Sequence, residues 1–223
     1  MSKNAVVLLS GGLDSATTLY FARDKGYECH PLIFDYGQRH LREIGSAGRI
    51  SRAAGLRSKI FKIKFPWKGS SLLDKSARLP FSFVGGNLKS GIPSTYVPGR
   101  NIVFLSIALS YAEAIGAQAI FIGANAVDFS GYPDCRPRFY RAFRKMAGMG
   151  TKKGVEGNPI RIATPLINMT KAEIIKLGMK LGVPYRYTWS CYRGEKRPCE
   201  RCDSCRLRAK GFSETGMKDP LLS

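Results

Sequence analysis

Residues 5–19, AVVLLSGGLDSATTL, decide the fold. Val6, Val7, Leu8 and Leu9 form a short continuous apolar run, the pattern of a strand buried on both faces of a parallel sheet. The run breaks at Ser10, Gly11 and Gly12, where adjacent glycines let the backbone take positive φ and let a ligand approach without meeting a Cβ. From Ser15 the spacing of Leu19, Phe21 and Ala22 predicts a helix packed back on the sheet. Its first turn offers unpaired N–H groups and the positive end of the helix dipole to an anion. Such a turn suits phosphate oxygens. The same residues also read as an ordinary strand-to-helix turn capped by Asp14 or Ser15. Phosphate binding is the preferred reading, because Ser-Gly-Gly-x-Asp-Ser fixes hydroxyls and a carboxylate as well as glycines.

Ser10, Gly11, Gly12, Leu13, Asp14 and Ser15 resemble the pyrophosphate loop of the ATP pyrophosphatase superfamily. Members cleave ATP to AMP and pyrophosphate, usually to adenylate a substrate oxygen before a nucleophile displaces AMP. The resemblance implies a Rossmann-like α/β fold with a parallel sheet. It implies that Leu9, Ser10, Gly11, Gly12, Leu13, Asp14, Ser15, Ala16, Thr17, Thr18 and Leu19 form the nucleotide-binding segment. Ser10, Asp14 and Ser15 then act in catalysis, with Asp14 helping to place Mg²⁺. A Walker A loop is excluded, since no Gly-Lys-Ser/Thr follows the glycines.

At 223 residues and 44% hydrophobic content the chain suits one domain, or one domain with a small appendage, and can supply a substantial core. No apolar run is long enough to span a bilayer, and the first residues lead straight into an expected core strand, so a soluble, cytoplasmic protein without a signal peptide is expected. The formal charge is +20, from 36 Lys and Arg against 16 Asp and Glu. Such an excess attracts polyanions and makes nucleic-acid contact a candidate; dispersed along the chain, it reads equally as a solvated basic surface.

Farther along, residues 28–35 read as a second strand ending in a polar loop through Gln38, Arg39 and His40, the end at which open α/β sheets bind ligands. His40 reads as a general base or, preferably, as a packing or capping residue. Helical spacing covers 41–54, and alternation predicts a partly solvated strand over 59–65. Residues 67–96 read as a long loop with a short helical piece near Leu72. A strong apolar helix follows over 102–115, with Arg100 and Asn101 at its start facing an anion or serving as surface Arg and Asn cap. Another buried strand, 119–123, runs into a loop holding Asp128, Phe129, Ser130, Tyr132, Asp134 and Arg136, which reads as a recognition surface for a planar polar ligand or as a simple turn. A basic helix over 137–149, a strand over 160–163 and a helix over 171–181 complete the alternation of parallel units. Thr170 and Glu173 have capping-box spacing. Lys171 is either an ordinary first-turn residue or an ATP-phosphate contact, and is grouped with Ser10, Asp14 and Ser15 as a candidate catalytic residue.

Cys191, Cys199, Cys202 and Cys205 crowd four soft ligands into one short segment, the pattern of a tetrahedral Zn²⁺ site, with an iron–sulfur cluster and a redox pair as rivals. Four protein ligands leave no open position, so the metal is expected to be structural.

Together with Asp35-Tyr36-Gly37-Gln38-Arg39-His40, Pro98-Gly99-Arg100-Asn101, residues 128–136 and Thr170 to Glu173, these motifs resemble the 7-cyano-7-deazaguanine synthase family from Val6 to about Gly211. Glu200 departs from the pattern, where glycine is expected after the second cysteine. The resemblance implies ATP-dependent conversion of 7-carboxy-7-deazaguanine and ammonia to the nitrile, through adenylated acid and amide, in queuosine or archaeosine biosynthesis. It implies deazapurine contacts at Gln38, Tyr96, Arg100, Asp128, Phe129, Ser130, Tyr132, Asp134 and Arg136, and a homodimer. Residues 1–185 would form the ATP and substrate domain and 186–223 the zinc-binding segment packed on it. Two alternatives remain: a tRNA-modifying adenylating enzyme of the thiolation type, favoured by the charge, and a noncatalytic zinc-knuckle nucleic-acid binder, which leaves the glycine loop unexplained.

Overall fold

The apolar run opens the central strand of a five-stranded parallel sheet, ordered β3-β2-β1-β4-β5, in a computed structural model that describes residues 3–74, 76–77, 92–127 and 131–222. The strands are β1 (Lys3–Leu8), β2 (Tyr27–Asp35), β3 (Lys59–Lys62), β4 (Ala119–Ile122) and β5 (Arg161–Ala163). Helices α1 (Leu13–Asp24), α2 (Arg42–Ala53), α3 (Arg100–Ala114), α4 (Pro137–Gly150), α5 (Lys152–Val155), α6 (Lys171–Lys180) and α7 (Asp203–Thr215) complete the described elements. Leu8 of β1 lies opposite Leu32 of β2 on one side and Ile122 of β4 on the other.

Alternation along β1 sends Ala5 and Val7 to one core and Val6 and Leu8 to the other. The first core takes in α1, α2 and α6 through Leu19, Ile50 and Ile174; the second takes in α3 and α4 through Leu105 and Tyr140. Covering both faces is why the strand reads as an unbroken apolar run. The chain first builds outward from β1 through β2 to β3, then returns to β4 on the opposite side of β1. A switch of this kind opens a crevice at the carboxyl ends of β1 and β4.

Some boundaries differ from the sequence expectations. Helix α1 starts at Leu13, ahead of Ser15, because Gly12 takes the extended capping conformation and neither Asp14 nor Ser15 caps the helix. β3 stops at Lys62 with all four residues exposed, as the sheet's edge, and only the Ile63 N–H continues the ladder to the Asp35 carbonyl at 2.8 Å. Near Leu72 there is a hydrogen-bonded turn, closed by Asp74 N–H on the Ser70 carbonyl. α6 carries the expected capping box, Glu173 N–H on Thr170 Oγ1 at 3.3 Å and Thr170 N–H on Glu173 Oε2 at 2.7 Å.

Residues after α6 are tied into this body. The Arg208 guanidinium is buried, donating to both Asp219 oxygens at 2.6 and 2.8 Å and to Thr188 Oγ1 at 2.7 Å. Gly211 of α7 meets α6 so closely that a Cβ there would lie 2.6 Å from Lys171 Cγ. No helix among the described residues is long and apolar enough to cross a membrane.

Candidate active site

The turn after β1 is folded around one hydroxyl. Ser15 Oγ accepts from the Ser10 N–H (3.2 Å) and Ser10 Oγ (3.0 Å), and donates to the Gly12 carbonyl (3.1 Å). Gly11 takes φ 87°, and a Cβ there would lie 2.2 Å from the Glu43 carbonyl oxygen, so the first turn of α2 can pack against the loop only because this position is glycine. On the other flank, a Cβ on Gly123, just past β4, would lie 2.9 Å from the Asp14 carbonyl. The loop is thus wedged between the ends of two elements at the crevice.

That crevice holds a cavity of about 320 Å³. Leu9, Ser10, Gly12, Leu13, Asp14 and Ser15 line it. Ala16, Thr17, Thr18 and Leu19 are fully buried in α1 and do not line it. The Thr17 and Thr18 hydroxyls instead donate to the carbonyls of Leu13 and Asp14 at 2.9 Å.

Lys171 arrives from far along the chain. Its Nζ donates to both Asp14 carboxylate oxygens at 2.8 Å, with the two side chains 13% and 26% exposed. Largely shielded from water, the pair keeps more of its attraction than a surface ion pair does. An ammonium and a carboxylate at the mouth of an N–H-lined loop are the complement of a metal-bound polyphosphate.

The remaining wall is aromatic. Tyr36, Phe104, Tyr132 and Tyr192 face the cavity, and Arg100 donates to Tyr36 Oη at 3.2 Å. Gln38 lines the cavity while its amide accepts from the Tyr36 N–H at 2.9 Å, stapling its own loop. Tyr96 Oη accepts from the Gly99 N–H at 3.0 Å and its ring leans on Tyr132, whose hydroxyl is 2.5 Å from Thr95 Oγ1. Asp134 is buried and accepts from the Asn101 N–H at 3.1 Å, fastening its loop to the start of α3. Burial raises its carboxyl above the usual range. Arg136 precedes α4 at its N-cap. Asp128, Phe129 and Ser130 lie outside the described residues. Cys135 faces the cavity, but burial and then Asp134 push its thiol up to about 12, so it is not an activated nucleophile.

Sequence reading passed over Glu43. It lines the cavity from the first turn of α2, and burial, outweighing the pull of Arg100, raises its carboxyl to about 7. The available signal was an acid shortly after a polar strand end, which is indistinguishable in sequence from an ordinary first-turn carboxylate.

Cys191, Cys199, Cys202 and Cys205 bring their Sγ atoms within 4.8 Å of one another. A tetrahedral metal with thiolates at about 2.3 Å sets its sulfurs about 3.8 Å apart, so the set fits one ion. Hydrogen bonds within the set lower the Cys191 thiol and in return raise those of Cys202 and Cys205, so the sulfurs are in mutual contact. The cluster also props the glycine loop. Trp189 N–H donates to the Gly11 carbonyl at 2.8 Å, and His40 Nε2 donates to the Cys191 carbonyl at 3.0 Å. Burial lowers the affinity of His40 for a proton, and Gly194 packs on its ring. Here His40 is a packing residue.

Glu200 adopts φ 55°, the one positive φ of a non-glycine among the described residues. Its Cβ strains the turn after Cys199. Glu200→Gly is expected to stabilise the protein by about 0.5–1 kcal/mol. Calorimetry should show a rise of about 1–4 °C in the melting midpoint; an unchanged or lower midpoint would show the turn to be unstrained.

The family model described as "Queuosine biosynthesis protein QueC" matches residues 4–216. The chain belongs to this family. QueC-family relatives include a 7-cyano-7-deazaguanine synthase of Saccharophagus degradans, 53% identical over 98% of this chain and 97% of its own. Another, from Hydrogenovibrio crunogenus and described by the same name, is 54% identical over 99% of this chain and 95% of its own. Among solved structures, the U34-tRNA thiolase NcsA of Methanococcus maripaludis, with its [4Fe-4S] cluster, matches at a TM-score of 0.49 and 16% identity, covering 96% of this chain and 73% of that one.

Proposed function

We propose that the protein is a 7-cyano-7-deazaguanine synthase, a ligase that spends ATP to AMP and diphosphate in converting 7-carboxy-7-deazaguanine and ammonia to the nitrile. The observation that carries this reading is full-length likeness to proteins of that name in a chain where the glycine loop, Asp14 and Lys171 meet at one cleft. A carboxylate resists ammonia, so its oxygen must first become a leaving group. The loop N–H groups and Lys171 hold the departing pyrophosphate while the substrate oxygen attacks the α-phosphorus. Asp14 would offer Mg²⁺ an oxygen ligand alongside the phosphates, and the ion when bound would supply charge neutralisation at the leaving group. Ammonia displaces AMP to give the amide. A second activation, at the amide oxygen, then lets elimination give the nitrile. One phosphate site serves both rounds.

The aromatic wall with Arg100, Gln38, Tyr96, Tyr132, Asp134, Arg136 and residues 128–130 is assigned to the deazapurine. The four cysteines are assigned to structural Zn²⁺, with 1–185 as the catalytic unit and 186–223 as the metal-bearing segment. On family resemblance the enzyme is a cytoplasmic homodimer feeding queuosine or archaeosine.

Incubation with ATP, Mg²⁺, ammonium and 7-carboxy-7-deazaguanine should yield AMP and the nitrile by mass spectrometry. AMP release that depended on RNA, or no AMP at all, would overturn the assignment.

A further inference from the structure

Glu43 is a carboxyl without a local task. Its main chain is pinned against Gly11 of the phosphate loop, and its side chain faces the cavity. Among the described residues no hydrogen bond to that side chain is found. Its charged and titratable surroundings come from three directions: Arg100 from α3, Tyr36 from the end of β2, and Cys191 with Tyr192 from the cysteine segment. Keeping an acid half-buried beside a site that must hold polyanionic ATP is costly unless the acid has a cationic or proton-bearing partner of its own.

Resting on the synthase reading above, we propose that Glu43 is the ammonium-binding residue: it receives NH₄⁺ in the cleft, retains one proton, and releases NH₃ to the adenylated carbonyl. Ammonium prevails over ammonia at neutral pH and has no lone pair with which to attack. A carboxylate that shares its cavity with Tyr36 and Tyr192 suits a small cation. Nearby Arg100 penalises a second cation in a partly dry site but also favours the Glu43 carboxylate that receives NH₄⁺; burial is what favours the neutral pair of NH₃ and protonated Glu43. The free ammonia then forms the C–N bond. The carbonyl-to-phosphate C–O bond breaks with its electron pair going to AMP, and the second nitrogen proton leaves with the phosphate group. The raised affinity of the Glu43 carboxyl for a proton accords with this exchange.

The test uses the intact metal-loaded protein at saturating ATP and 7-carboxy-7-deazaguanine. Glu43→Gln is expected to lower kcat/KM for ammonium by about 100-fold or more. Adenylation, read as single-turnover pyrophosphate release without ammonium, should stay within about threefold of the parent. Hydroxylamine, largely unprotonated at neutral pH, needs no proton acceptor, and its kcat/KM should fall by less than about tenfold. Glu43→Asp should recover at least about tenfold of the ammonium activity lost in Glu43→Gln. A parent-like kcat/KM for ammonium in Glu43→Gln would overturn the proposal. So would equal loss with ammonium, hydroxylamine and adenylation, since that marks a structural role. Melting midpoint and metal content identify a misfolded variant, in which case Glu43→Asp carries the test through its ratio of ammonium to hydroxylamine activity. A parent that forms no AMP from the acid would refute the synthase reading itself, a result distinct from an active parent indifferent to residue 43.

Discussion

Asp14→Asn is expected to lower kcat/KM by about a hundred- to a thousandfold while the protein remains folded. The substitution keeps the shape of the side chain and removes its charge. Lys171 Nζ then loses the partner it holds at 2.8 Å, and the cleft loses the one carboxylate that stands beside the loop's first helical turn. On the proposed function both groups would act on charge that develops as pyrophosphate departs, so the effect is expected in kcat more than in the KM for ATP. Lys171→Met should match it. Because the two side chains work as a unit, the double variant should lose little beyond either single one. Single-turnover AMP formation, measured alongside thermal melting, checks this. Turnover within about threefold of the parent in Asp14→Asn would remove the pair from the chemistry.

Stripping the metal should have the larger structural effect. A four-thiolate site contributes on the order of 10 kcal/mol of folding free energy, comparable with the whole stability of a domain of this kind. Cys202 is fully buried and caps α7, so Cys202→Ser or a strong chelator should unravel the 191–210 segment. With it go the Trp189 hydrogen bond to Gly11 and the His40 hydrogen bond to Cys191, which brace the phosphate loop and the turn before α2. Loss of activity should therefore accompany loss of metal, although none of the four clustered cysteines lines the cavity. Limited proteolysis should cut within 191–210 in the chelated protein, and added Zn²⁺ should restore both protection and turnover. A metal-free protein with an unchanged melting midpoint would show the sulfurs to be bystanders.

Sequence alone made the local half of this architecture legible. β1 with its glycine turn, the Thr170–Glu173 capping box and the four cysteines are each written in adjacent or helically spaced residues, where periodicity and spacing speak directly. What stayed hidden depends on topology. Nothing near Lys171 says that it reaches Asp14 across 157 positions, because that meeting follows from α6 lying beside α1. The same holds for the backbone bond from Trp189 to Gly11 and for Arg208 closing on Asp219. Glu43 was missed for another reason: its environment, not its spacing, separates it from a common surface acid. Ala16, Thr17, Thr18 and Leu19 show the reverse, where a motif's span includes residues that serve the core behind the loop.

The contact between Gly11 and Trp189 also bears on how the protein matures in the cell. The glycine loop is synthesised well before Trp189 and the cysteine segment that brace it. At ordinary translation rates, roughly 10–40 s separate Ser10 from Cys205. Until α7 has left the ribosome the glycine loop stands without these supports, so the cleft is expected to take its final form late in synthesis.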